Sequence, residues 1–354
     1  MTVLDRPTAP APTGRGTPRR GWTPLRLQAL LAGGVWTAWL VFGGTDALEA
    51  LRRHTAVAAT MVLGSLVGGG TSEGGGAIAF PMFTKVLGIP PTDARVFTFL
   101  VQSVGMIAAS VVILVLRVPV ERRVLALGVP AGVAGVVFSV TVLAPGVASG
   151  GIRLGFTVLL VSLGIALVVG HLRGSVAVHA AIPRRGPTED LVIIGAGLAG
   201  GVLSGLVGVG ENTVMFLVLV LLFRVSEKVA TPTTVVLMAV VSAAAAFSHA
   251  VLLDDVPPVV WEYWLAAVPV VVVGAPLGAV LCRFLSAGAI RAILVTLIGA
   301  ELVSTVLLVP YGPLGAAASL GALVLTTAAC VLLARVRRYA PPAVPDRRPA
   351  REVI

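Results

Sequence analysis

Two acidic residues, Glu73 and Glu211, stand where charge is least expected. Glu73 lies in G-G-G-T-S-E-G-G-G (Gly68–Gly76) and Glu211 in G-L-V-G-V-G-E-N-T (Gly205–Thr213), each with apolar sequence on both sides. An ionisable side chain at the centre of a bilayer costs about 2.5–3.5 kcal/mol on insertion scales and is seldom there without a role. Carboxyls so placed carry protons or hold cations, which makes Glu73 and Glu211 candidate coupling residues. Each also has a structural reading, as a dipole partner for the helix that follows. Around them stand groups suited to an anion. Backbone N–H donors come from Gly70, Gly74, Gly75, Gly76 and Gly210, and polar side chains from Thr71, Ser72, Asn212 and Thr213, with Thr98 and Thr234 downstream of each break. These are the candidate substrate-binding residues.

The elements that must position them follow from the glycines. Six glycines in the nine positions Gly68–Gly76 cannot continue a helix cheaply. The flanking arms Ala56–Val67 and Ala77–Gly88 each fall short of the roughly 20 residues that a membrane span needs. Backbone opened at this depth is tolerated only when buried in protein or lining a polar cavity. A break between short helices therefore points to a binding site. Close helix packing is the other use of membrane glycines, but packing motifs space them rather than cluster them.

Composition sets the class. Of 354 residues, 57% are hydrophobic and 12% charged, and the mean hydropathy is +1.00. The pattern predicts an all-α polytopic membrane protein. The net charge of +10 is scattered through loops and tails, so nothing points to nucleic acid. Cys282 and Cys330 both lie in apolar stretches, which argues against a disulfide or thiolate metal site. No cofactor, metal or catalytic constellation is expected. L-V-I-I-G-A-G-L-A-G (Leu191–Gly200) matches a dinucleotide fingerprint, but it runs on into membrane-apolar sequence and lacks the acid about 20 residues further on.

In chain order the expectation is a disordered basic tail (1–24), without the layout of a signal peptide, and a peripheral span (25–44). A first transporter repeat (56–170), a cytoplasmic linker (171–190), a second repeat (191–309), a terminal span (313–335) and a basic tail (336–354) follow. Each repeat is a broken segment followed by three spans. Offset by 136 residues, Gly64/Gly200, Gly69/Gly205, Gly74/Gly210, Ala94/Ala230 and Thr98/Thr234 coincide. If the broken segments are re-entrant hairpins and both termini are cytoplasmic, 21 of the 26 Lys and Arg fall inside, leaving Arg52, Arg53, Lys85, Arg95 and Arg153 outside. Three full spans per repeat then make the repeats inverted. Lys85, Arg95 and His249 are expected to sit near interfaces or to snorkel, and Glu301 to hydrogen-bond locally with Ser304 or Thr305 or to take part in transport. Trp261, Tyr263, Trp264 and Tyr311 fit an interfacial aromatic belt.

The run G-G-G-T-S-E-G-G-G-A-I-A-F-P (Gly68–Pro81) with G-I-P-P-T-D-A (Gly88–Ala94), and its second copy G-L-V-G-V-G (Gly205–Gly210) with V-A-T-P-T-T (Val229–Thr234), resembles the sulfite exporter TauE/SafE family of membrane transporters. The resemblance spans roughly Ala56–Val309. It implies a cytoplasmic-membrane carrier, not an enzyme, for sulfur-containing anions such as sulfite, sulfoacetate or other organosulfonates. The partners are then a small organic or inorganic anion and the lipid bilayer, with homo-oligomerisation left open. A cation exchanger using Glu73 and Glu211, and a non-transporting membrane sensor or assembly subunit, are the alternatives.

Overall fold

The computed structural model describes residues 24–71, 74–146, 149–172, 179–282, 284–308, 312–336 and 338–339. Twelve α-helices make up nearly all of it: α1 Pro24–Arg53, α2 Thr55–Gly70, α3 Gly76–Pro81, α4 Pro91–Val115, α5 Arg122–Phe138, α6 Ser149–Leu172, α7 Pro187–Val207, α8 Glu211–Leu217, α9 Glu227–Phe247, α10 Pro258–Cys282, α11 Ala287–Leu308 and α12 Pro313–Arg335. Among the described residues the only β pairing is a bridge between His179 and Val225. Seven helices (α1, α4, α5, α7, α9, α10 and α12) are long and apolar enough to cross a membrane. At 24 and 22 residues, α6 and α11 match the length of a span.

Local chemistry sets the ends. Proline opens α4, α7 and α12, where the missing N–H is an orphan anyway. Glu189 and Asp190 place negative charge in the first turn of α7. Gly208, at φ 97°, closes that helix with a left-handed cap and donates to Ser204 O at 2.6 Å. Two expectations change here. The stretch after Gly44, which the sequence leaves between the first span and the first repeat, is helical: α1 kinks at Gly44 (φ 51°) and runs on to Arg53. The second broken segment is not two half-length arms, because α7 alone has 21 residues.

The two halves repeat element for element at the 136-residue offset. Helices α4 and α9 begin at Pro91 and Glu227, and α5 and α10 at Arg122 and Pro258. α3 and α8 each run into a π-helical turn, Met82–Val86 and Val218–Leu222. Both turns close alike: Leu87 N donates to Met82 O and Ile89 N to Phe83 O, while Phe223 N donates to Val218 O and Val225 N to Leu219 O. Packing between the halves is reciprocal. α5 lies against α7 and α10 against α2; α6 meets α8 and α11 meets α3; α4 pairs with α9.

Glycine makes the tightest crossings. A Cβ on Gly69 would stand 1.8 Å from Ala275 O, and one on Gly205, its repeat mate, 2.4 Å from the Ser139 Cβ. α1 docks on α10 through Trp39, whose Nε1 donates to Leu265 O at 2.8 Å. That carbonyl has lost its helical donor because Pro269 has no N–H. Trp264, expected in an interfacial belt, donates to Leu100 O at 3.0 Å and ties α10 to α4; Tyr311 lies outside the described residues. The linker joins the loop after α8, with His179 N donating to Arg224 O and Ser226 N to His179 O, both at 2.9 Å. The start of the C-terminal tail folds onto the base of α7, where buried Tyr339 donates to Glu189 Oε1 at 2.7 Å.

The α5–α7 crossing gives a direct check. A Cβ at Gly201 would lie 2.2 Å from Gly132 O, whereas one at Gly195 meets nothing within 4 Å. Gly201→Leu is expected to lose most folded protein while Gly195→Leu keeps it, measured as the monodisperse fraction by size-exclusion chromatography in detergent.

Candidate functional site

Each broken segment doubles back on itself. In the first, α2 ends at Gly70, Thr71 is extended, and the chain turns through Gly74 at φ +65°. It then passes so close to its own first arm that a Cβ on Gly68 would stand 2.4 Å from Gly75 N, and one on Gly75 3.0 Å from Gly64 O. In the second, Gly208 and Gly210 (φ +97° and +152°) make the turn, and a Cβ on Gly200 would stand 2.7 Å from the Glu211 Cα. Gly64 faces Gly75 as Gly200 faces Glu211, at the same 136-residue offset. The two tips touch: a Cβ on Gly76 would come within 2.8 Å of Val209 Cγ1.

The sequence candidates separate into groups. Gly75, Gly76 and Thr98 line one internal cavity of about 10 Å³, together with Ser65 and Gln102. Gly74 sits beside it, facing the Gln102 Nε2 (3.3 Å from a Cβ built there) and the sulfur of Met238. Gly70 looks the other way, packing on Gly278 of α10. Thr71 is buried at the end of α2, and Ser72 and Glu73 lie outside the described residues. Thr98 and Thr234 are buried repeat mates whose hydroxyls donate to their own helices, at Ala94 O (2.7 Å) and Thr231 O (3.0 Å). Gly210 packs on Leu203 and Ser204. Glu211, Asn212 and Thr213 are fully buried at the start of α8. Neither Glu211 oxygen completes a hydrogen bond, and the buried hydroxyl of neighbouring Ser204 also lacks a partner of good geometry.

For three basic residues burial takes the place of snorkelling. Lys85 does not snorkel: its side chain is 3% exposed and pairs with Glu301 Oε2 at 2.7 Å, while donating to Ser304 Oγ and Thr305 Oγ1 at 2.8 and 2.7 Å. Thr157 of α6 and Thr305 donate to the other Glu301 oxygen at 2.9 and 3.1 Å. The local bond expected for Glu301 is thus present, inside a larger network that ties the returning arm of the first hairpin to α6 and α11. His249 is 2% exposed, with Nδ1 on Asp255 Oδ1 at 2.8 Å and the ring stacked on Phe99. Arg95 is 7% exposed, and a Cβ on Gly208 at the second tip would lie 3.3 Å from its Cγ. Burial wins in all three cases because the opposing element supplies a polar partner or a turn that local sequence does not reveal.

Gln102 was not among the sequence candidates. It accepts from Ser242 Oγ of α9 at 2.7 Å through Oε1, and its Nε2 is buried without a partner. The available signal was spacing: Arg95, Thr98 and Gln102 fall at i, i+3 and i+7, one face of α4.

A family model described as "Sulfite exporter TauE/SafE" matches residues 56–305, from the start of α2 into α11. The chain belongs to the sulfite exporter TauE/SafE family. No curated protein and no solved structure matches it. Membership makes the chain one of a family of membrane transporters of sulfur anions such as sulfite, and the match takes in both hairpins, α4, α5, α6, α9 and α10, and most of α11. Helices α1 and α12 lie outside the match, against α10 and α6.

The Lys85–Glu301 pair yields a prediction. Removing one partner of a buried pair leaves an uncompensated charge and costs about 3–5 kcal/mol, whereas an apolar double replacement is far milder. Lys85→Met and Glu301→Leu should each lower the thermal unfolding midpoint in detergent sharply, and the double variant should recover most of the loss.

Proposed function

We propose that the chain is a secondary transporter that moves small sulfur-containing anions (sulfite, sulfoacetate or other organosulfonates) across the cytoplasmic membrane by alternating access. The observation that carries this reading is the meeting of two glycine-turned hairpin tips, one from each half, beside a cavity too small for such an anion. About 10 Å³ admits at most one water, so loading requires the tips to part. Glycine at Gly74, Gly75 and Gly76 keeps side chains from blocking the backbone there. Inverted halves give each tip its own face of the membrane, so rocking one half against the other would open the site to alternate sides.

Burial of Lys85 and Arg95 supports the orientation with both termini cytoplasmic. Neither is a loop charge, which removes two of the five basic residues otherwise counted outside. Single cysteines placed in a background lacking Cys282 and Cys330 should label from outside at Asp46 and Asp93 and from inside at Thr188 and Glu227. Asp46 and Asp93 on opposite faces would mean that the first broken segment crosses.

Glu211 is the coupling residue in this scheme. A carboxylate without partners is expensive to bury, so the charged form is admitted only when the path opens to water or to a cation. Proton coupling through Glu211, with Glu73 as its counterpart, lets a neutral acid admit the anion without repulsion. The Glu211 oxygens, neither of which completes a well-formed hydrogen bond, also favour a second reading, cation exchange. Uptake into proteoliposomes separates the two. If Glu211 carries the proton, wild-type protein should take up labelled sulfite or sulfoacetate faster under a pH gradient, and Glu211→Gln should keep exchange but lose that acceleration. Cation exchange predicts instead that Glu211→Gln abolishes cation flux and that sulfur anions have no effect.

A further inference from the structure

Among the described residues, the sealed basic side chains differ in what answers their charge. Lys85 has Glu301, and His249 has Asp255. Among the described residues Arg95 has no acid within ion-pair reach. Its guanidinium makes one long hydrogen bond, from Nη1 to Leu206 O at 3.4 Å, and its buried Nε has no partner. Asp255 pulls on it from beyond pairing distance, engaged with His249. A cation this buried normally has an anion and a full set of acceptors, because desolvation alone costs several kcal/mol. The carbonyls that end α7 offer only a partial negative charge.

A second orphan lies on the same face of the same helix. Gln102, 3% exposed, has its Oε1 held by Ser242 Oγ, which turns the Nε2 donor toward Gly74 at the first tip. Seven residues separate the two, about 10 Å along the axis. Each residue thus lies at a tip, Arg95 with its stem against Gly208 and its guanidinium reaching Leu206 O just before it, Gln102 with its Nε2 toward Gly74, and the cavity-lining Thr98 stands between them. The repeat-mate positions on α9 carry Thr231 and Met238, so only α4 presents this charge.

We propose that this face of α4 is the anion-recognising strip of the site. Arg95 takes two oxygens of a sulfonate or hydrogensulfite group through its planar fork, and Gln102 donates to the ligand at the first tip once the hairpins separate. A guanidinium matches two coplanar oxygens in a way an ammonium does not. One unanswered positive charge selects a singly charged head group. This rests on the anion-transport reading and adds the residues that choose the ligand.

The test is ligand-induced stabilisation of the purified full chain in detergent, with sulfite, sulfoacetate, acetate, phosphate and sodium chloride as probes. Wild-type protein should be stabilised by the sulfur anions at concentrations where acetate and chloride do nothing. A hydrogen bond to a charged group contributes about 1.5–3 kcal/mol, so Arg95→Gln should weaken sulfite binding roughly 10- to 100-fold. Arg95→Lys, which keeps charge without the fork, should fall between, and Gln102→Leu should cost less than Arg95→Gln. Ligand-free Arg95→Gln should also unfold at the wild-type temperature or above it, since an unanswered buried charge has been removed. A marked fall would make Arg95 a cap for α7 and overturn the proposal, as would failure of both Arg95 variants to fold. Sulfite binding unchanged in a folded Arg95→Gln overturns it while leaving anion transport standing. Arg95-dependent binding of phosphate or acetate but not sulfite keeps the strip as an anion site and sinks its sulfur specificity together with the sulfur-transport reading. Wild-type protein stabilised by none of the anions sinks both.

Discussion

Everything in this structure answers to one constraint: a backbone opened inside a membrane protein must be sealed by other backbone. Each hairpin meets it by pressing its return against its own first arm, Gly75 on Gly64 and Glu211 on Gly200, and by pressing that arm into a long helix of the other half. At such distances no side chain fits between the chains. The glycines along α2 and α7 are therefore as much a packing requirement as an invitation to a ligand. Gly70 and Gly75 show both uses within one turn: the first is spent on α10, while the second closes the hairpin and borders the cavity.

Because α2 packs on α10 and α7 on α5, neither half is complete alone. Each hairpin is held by a span from the opposite repeat, and α4 and α9 meet between them. A shift of one half against the other must then carry a hairpin past α4. The π turns that end α3 and α8 repeat at matched positions with matched hydrogen bonds. Features of this kind recur at functional sites in helices.

Polar satisfaction divides the buried charges. Lys85, Glu301, Thr157, Ser304 and Thr305 form a network in which the carboxylate and ammonium bonds answer one another, a tie between the first hairpin, α6 and α11. Arg95, Gln102 and Glu211 are buried with donors or acceptors left over. Satisfied buried networks rigidify a fold, while unsatisfied groups are costly and call for a reason. In a family that carries anions, the reason we propose for Arg95 and Gln102 is an anion held between the two tips.

The sequence by itself determined the all-helical membrane class, the two breaks and the 136-residue repeat, but not which helices are long enough to cross: α7, read as part of a broken segment, is among the seven that are. Apolar length and glycine clustering are local properties, and the bilayer leaves few alternatives to helices. It also located Glu211 and the glycines at which both segments turn back. Tertiary structure alone decided which side chains answer one another. Lys85 and Glu301 are 216 residues apart, Arg95 meets Gly208 of the other half, and Gln102 is turned by Ser242 of α9. A basic residue near the end of an apolar run reads locally as one that snorkels, because water is the only partner the local pattern supplies. The fold placed another helix where that water would have been, and partner choice over such distances depends on which helices pack, a property no local stretch encodes.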